Sequence, residues 1–217
     1  MGRKRLRLVA AVPLLLCLAA TTAHAQEEHL FQNSWFWGLH AGSTLIGTPN
    51  ASASAEPTFG ADWMITRTDG GLYVSYDQAS FSRTSGIADP SAVNGMRPVA
   101  IHDLRTVTVG GLAFPWHAGH FRPYAGLGYA LSLVGNAAAQ PDSLNTPVPP
   151  SLGQNVDDAR SRSSIFGLVG AQWQIRRTAI FAQASFIPSS DQFLVSKPIT
   201  GITAGIRYNF GSSIDDQ

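Results

Sequence analysis

Cysteine is nearly missing from this chain. The only one, Cys17, stands inside the first twenty residues, behind Leu16 rather than behind the small residue that a lipid-modified cysteine needs. Disulfides, thiol catalysis and cysteine-based metal sites are thereby excluded for everything downstream. Long apolar runs are missing too: beyond the first 25 residues no window approaches 18 uninterrupted apolar residues, so a helical membrane protein is not expected. Charge is sparse at 13% of residues and nearly balanced, with a net value of +1. Downstream of the first 25 residues no basic patch offers itself to nucleic acid.

What is present begins with a leader. Gly2-Arg3-Lys4-Arg5-Leu6-Arg7 is a basic stretch, Leu8 to Ala20 is apolar, and Ala23-His24-Ala25 supplies small residues at a cleavage site before Gln26. That order reads as a secretory signal peptide over 1–25. Removing its four cations takes the net charge from +1 to −3.

The remainder alternates with period 2. Strands are expected at about 34–46, 57–67, 72–83, 101–114, 121–134, 163–175, 178–187 and from 199 to 210. In the last of these Ile202, Ala204, Ile206, Tyr208 and Phe210 share one face, while Thr203, Gly205, Arg207 and Asn209 share the other. The third strand loses phase near Gln78, and the fourth puts Val107 and Val109 on one parity but Leu112 and Phe114 on the opposite one, which a bulge at Gly110-Gly111 would repair.

Between the strands, long connections at 47–56, 84–100, 135–162 and 188–198 alternate with short ones such as Thr68-Asp69-Gly70-Gly71 and Arg176-Arg177. A soluble sandwich has no reason to segregate its loops in this way. The expected architecture is all-β: a closed antiparallel eight-stranded transmembrane β-barrel over 26–210, with long extracellular loops, short periplasmic turns, both termini periplasmic and a short tail over 211–217.

Leader, loop rhythm and closing strand together resemble the small eight-stranded outer-membrane proteins of the OmpA, OmpX and opacity-protein type. Thr203, Gly205, Tyr208 and Phe210 are similar to the assembly signal of that family, and Arg122-Pro123-Tyr124-Ala125-Gly126-Leu127-Gly128 to a strand common in it. The resemblance implies a bacterial outer-membrane location, insertion by the barrel-assembly machinery, and contact with outer-membrane lipid and lipopolysaccharide. The chain itself is expected to be a monomer that meets an unknown extracellular partner through its long loops, because the strands are committed to closure and lipid contact.

Eight strands make a barrel just wide enough for its interior side chains to fill. Asp62, Asp77, Arg122 and Arg207 are expected to face inward as a charge-paired polar network, since buried charge persists only when paired. Trp35, Trp37, Trp63 and Trp173 are expected as interfacial aromatics. The mature histidines show no metal-ligand spacing, His40 reads as a hydrogen-bonded lumen filler, and no cofactor is indicated. Pairs such as His102 with Asp103, or His40 with Ser43, raise the question of a lipid hydrolase, but neighbouring placement sends such side chains to opposite faces, so no catalysis is expected. The function expected is structural or surface-interacting, with a narrow porin-like channel as the alternative and a lipid hydrolase as the second.

Overall fold

The computed structural model describes residues 31–49, 51–188 and 193–212. The leader, and the tail beyond residue 212, lie outside the described residues. Among the described residues eight strands follow one another: β1 (Ser34–Thr48), β2 (Ala51–Thr66), β3 (Gly70–Ala88), β4 (Met96–Ala113), β5 (Phe121–Ala139), β6 (Ser161–Ile175), β7 (Thr178–Ile187) and β8 (Ile199–Ser212), with a helix, α1 (Pro150–Asp158), before β6. Each strand pairs antiparallel with the next, and β1 pairs with β8, so the sheet closes. No described helix is long and apolar enough to cross a membrane, and the strands carry the apolar surface instead.

Period-2 alternation determines which side chains face out. Trp35, Trp37, Leu39, Phe59, Leu127, Tyr129, Ile165, Val169, Ile180, Ile202 and Ile206 are exposed large apolar residues on the outer wall. On β1 this surface runs from Trp35 to Leu45, roughly 25 Å of height at a rise of about 3.3 Å per residue and a tilt near 40°, which matches the apolar band of a membrane barrel. Trp35, Trp37, Trp63, Trp173, Tyr208 and Phe210 all sit at the short-turn end of this band. There Trp35 and Trp63 meet edge to face at 5.3 Å, as do Tyr208 and Phe210 at 5.1 Å.

Three expectations about the loops need correction. β2 starts at Ala51, inside the expected 47–56 loop. The β3–β4 hairpin takes up most of 84–100, leaving a turn of 89–95, and the 135–162 loop contains the end of β5 and all of α1. β3 to β5 therefore continue past the apolar band as a three-stranded sheet, in which the exposed β3 positions Ser80, Ser82 and Thr84 are polar. The loss of phase near Gln78 marks the end of the lipid-facing surface, because the inward series Tyr73, Ser75, Asp77, Ala79 continues unbroken to Ser85.

The expected bulge at Gly110-Gly111 is absent: Tyr73↔Gly110 and Leu72↔Gly111 pair in regular register. Leu112 and Phe114 are buried lumen residues, not misplaced outer ones. The irregularity lies higher, where Ala79↔Leu104 gives way to Ser82↔His102, and Asp103 at that point has φ of 55°. Below Asp103 the inward residues of β4 are even-numbered (Leu104, Thr106, Thr108), and above it they are odd-numbered (Val99, Ile101).

Candidate functional site: a layered lumen and a lobe at the long-loop end

The lumen is stacked in layers. At the short-turn end Phe31, three residues before β1, is fully buried against the rings of Phe36 and Phe114, in one cluster with Met64 and Leu112. Its ring meets Phe114 edge to face at 4.8 Å, and the Thr66 hydroxyl donates to its carbonyl.

Above that layer lies a polar cluster. Arg207 on β8, fully buried, donates from Nε to Asp62 Oδ1 on β2 at 2.7 Å. Its remaining N–H groups reach Tyr124 Oη (3.3 Å), Gln172 Oε1 (3.3 Å) and Gln183 Oε1 (3.1 Å), and its Cζ lies 3.6 Å from the Phe181 ring centroid. His40 on β1 stands between two carboxylates, with Nδ1 3.3 Å from Asp62 Oδ2 and Nε2 2.7 Å from Asp77 Oδ1. Asp77 also accepts from the Ser75 hydroxyl at 2.8 Å. Close packing of this kind needs missing side chains nearby: a Cβ on Gly60 would come within 2.6 Å of His40 Nε2, and one on Gly205 would overlap the Leu39 carbonyl and come within 2.7 Å of His40 Cβ.

Of the four charged residues expected to share a network, the structure brings Asp62, Asp77 and Arg207 together through His40. Arg122 is separate from them, placed 4.2 Å over the Phe31 ring in the layer below. The alternation places His40 in the lumen but does not show it as the link, for which Gly60 opposite it on β2 is the one signal in the sequence. Of the hydrolase pairings, His40 is committed to the two carboxylates, and Ser43 is of the opposite parity on β1.

Over the cluster is a cavity of about 40 Å³, lined by Asp77, Ser75, Thr44, Thr58, Thr106 and Thr203 among others. Then the apolar layer returns. Leu104, Ile187 and Ile199 meet Val99 and Ile101 from the extended sheet, Val156 from α1 and the segment Phe193-Leu194-Val195. Leu194 is pinned on both sides, its carbonyl accepting from Ser85 Oγ at 2.6 Å and its N–H donating to Ala159 O at 3.1 Å.

The distal tip of this lobe is tied by charge. Arg97, fully buried, donates from Nε to Asp89 Oδ2 at 2.8 Å and reaches the carbonyls of Thr146 (2.8 Å) and Pro147 (3.3 Å), fastening the β3–β4 turn to the segment before α1. Hydrogen bonds from Ser91 and the Arg97 guanidinium hold the Asp89 carboxyl below the usual carboxylate range. Asp142 accepts backbone N–H bonds from Thr146, Val93 and Leu144, which lower its carboxyl in the same direction. Between β2 and β3, whose backbone pairing ends at Thr58↔Ala79, Arg83 bridges the gap to Glu56 at 2.8 Å and to the Ser54 hydroxyl.

No family model matches the sequence, and no curated protein matches it either. Solved structures do match in shape. The attachment invasion locus protein Ail of Yersinia pestis, solved alone and with the heparin analogue sucrose octasulfate, aligns over 83% of this chain and 100% of its own, at 13% identity and a TM-score of 0.50. Neisserial surface protein A aligns over 81% of this chain and 97% of its own, at 10% identity and a TM-score of 0.55. At such identities the likeness is one of fold. The chain has the closed eight-stranded architecture of the small outer-membrane β-barrels.

Proposed function

We propose that this is a bacterial outer-membrane protein, exported by its leader and inserted by the barrel-assembly machinery, whose role is structural and surface-interacting. The observation that carries the reading is a tied lobe at the long-loop end, on a lumen closed by two apolar layers. Binding residues gather on loops held by a rigid scaffold. Here the buried Arg97–Asp89 pair and the pinned Leu194 supply that rigidity. Val93, Met96, Leu144 and Val148 are exposed at the tip, beyond the apolar band, where an external partner would meet them. The complex of Ail with a heparin analogue supports the idea of an extracellular partner for a barrel of this shape. The closed lumen favours a scaffold over a channel, and the commitment of His40 to its carboxylates favours a protein without catalysis. Monomeric state and periplasmic termini belong to the same proposal.

Surface labelling tests it. A cysteine at Leu144 should react with a membrane-impermeant maleimide on intact cells, whereas one at Arg177, in the β6–β7 turn, should react only after the outer membrane is opened. The reverse pattern overturns the orientation.

A further inference from the structure

The irregularity at Asp103 has a chemical consequence on the outer wall. Reading across β3, β4 and β5, the outward row Tyr76–Val107–Leu131 is apolar, the next row up is Gln78–Arg105–Leu133, and the one above it is Ser82–His102–Asn136. The apolar band thus ends at Arg105, and the Tyr76 hydroxyl, donating upward to Gln78 Oε1 at 3.2 Å, marks the same boundary. In a regular strand Arg105 and His102 would point to opposite faces. With Asp103 at φ 55° both are exposed on the outer face, and Ser82 and Asn136 flank His102 as its direct cross-strand neighbours. Asn and Asp tolerate this backbone region better than other side chains do, which fits an acid at position 103.

We propose that Arg105, His102, Ser82 and Asn136 form a binding site for a phosphate monoester of an outer-leaflet lipid A, whose acyl chains lie along the apolar wall beneath. Guanidinium, hydroxyl, carboxamide and imidazole N–H groups are all phosphate donors, and guanidinium matches phosphate geometry in a bidentate way. Their height is that of a headgroup, just above Val107 and Leu131, so the ligand that satisfies the donors also covers the aliphatic rows. Asp103 opposes it: its carboxylate is 3.6 Å from Arg105 Nη2, in a loose contact that a phosphate would displace. The site rests on the reading that the long-loop end faces outward, which the maleimide experiment tests separately.

The experiment is native mass spectrometry of the folded protein released from detergent, with bisphosphorylated and fully dephosphorylated lipid A as probes and a heat-modifiable gel shift as the check on folding. Wild-type protein should retain the phosphorylated form at least about fivefold more than the dephosphorylated one. Arg105→Gln with His102→Gln should remove that preference, Arg177→Gln at the opposite end should leave it, and Asp103→Asn should strengthen it. Equal retention of the two lipids by wild type, or an unchanged preference in the double variant, overturns the site. Displacement of bound lipid A by millimolar inorganic phosphate alone would show a free-phosphate site and overturn the lipid assignment.

Discussion

Arg207 and Asp62 meet across the lumen at 2.7 Å, both fully buried, on strands that are not neighbours in the barrel. The contact joins β8, the last strand in the sequence, to β2 on the far side of β1, so it ties the closing seam to the wall beyond it. Burying two charges is expensive, and the neighbouring Gln172, Gln183 and Tyr124 groups complete the guanidinium's hydrogen bonds, which is what makes such a pair tolerable.

Removing one partner leaves the other charged and unpaired. Asp62→Ala should destabilise the folded barrel by about 3–5 kcal/mol, and a double replacement of Asp62 and Arg207 by apolar residues should cost less than the single change. Urea titration followed by the gel shift of folded against unfolded protein measures both. A double variant less stable than Asp62→Ala would show that the pair is worth more than its desolvation.

Gly205 separates two explanations of one residue. As part of the closing-strand signal it would act in assembly, but in the structure its missing side chain makes room for Leu39 O and His40. Gly205→Val should therefore prevent refolding in detergent, where no assembly machinery exists. Normal refolding of that variant, with failure only in cells, would assign the glycine to recognition.

Phe31→Ala opens the short-turn layer. Loss of a fully buried ring should cost about 3 kcal/mol or more in the same urea titration. The variant should still pass no current, because the Leu194 layer at the other end is untouched.

The Asp89–Arg97 tie gives the lobe a pH dependence. A folded-state carboxyl pKa below its unfolded value of about 3.9 stabilises at any pH above that value, and the contribution is lost as pH falls through the lower, folded pKa. Amide exchange at residues 89–97 and 142–147 should thus be slow and constant from neutral pH down to about 4, after correction for the intrinsic rate, and speed up only in stronger acid while the strands stay protected. Asp89→Asn should loosen the same segments at pH 7. Equal protection in that variant would assign the rigidity of the tip to packing alone.

The sequence exposed the lipid-facing barrel clearly because one face of each strand must be apolar there and the period of 2 is unmistakable. Above the band that constraint ends. Ser82 and Thr84 on β3 face water, so the extension of β3 to Ala88 looked like loop, and the reversal at Asp103 put Val99 and Ile101 on the wrong parity to be recognised as core. Helix α1 was hidden by its short polar sequence, although Pro150 at its start and the buried pair Leu152 and Val156 four residues apart were readable signs. The alternation puts Arg122 on the same inward face as the other lumen charges, and nothing in it shows that the ring of Phe31, from before the first strand, lies under its guanidinium.

Single-channel recording of the refolded mature protein in a planar bilayer tests the closed lumen most directly. Wild-type protein, shown to be folded by gel shift, should insert without current steps, and should stay silent with Phe31→Ala. Reproducible steps that vanish on unfolding, and that change size with Asp77→Asn, would show a conducting path through the His40–Asp77 cluster and contradict a sealed scaffold.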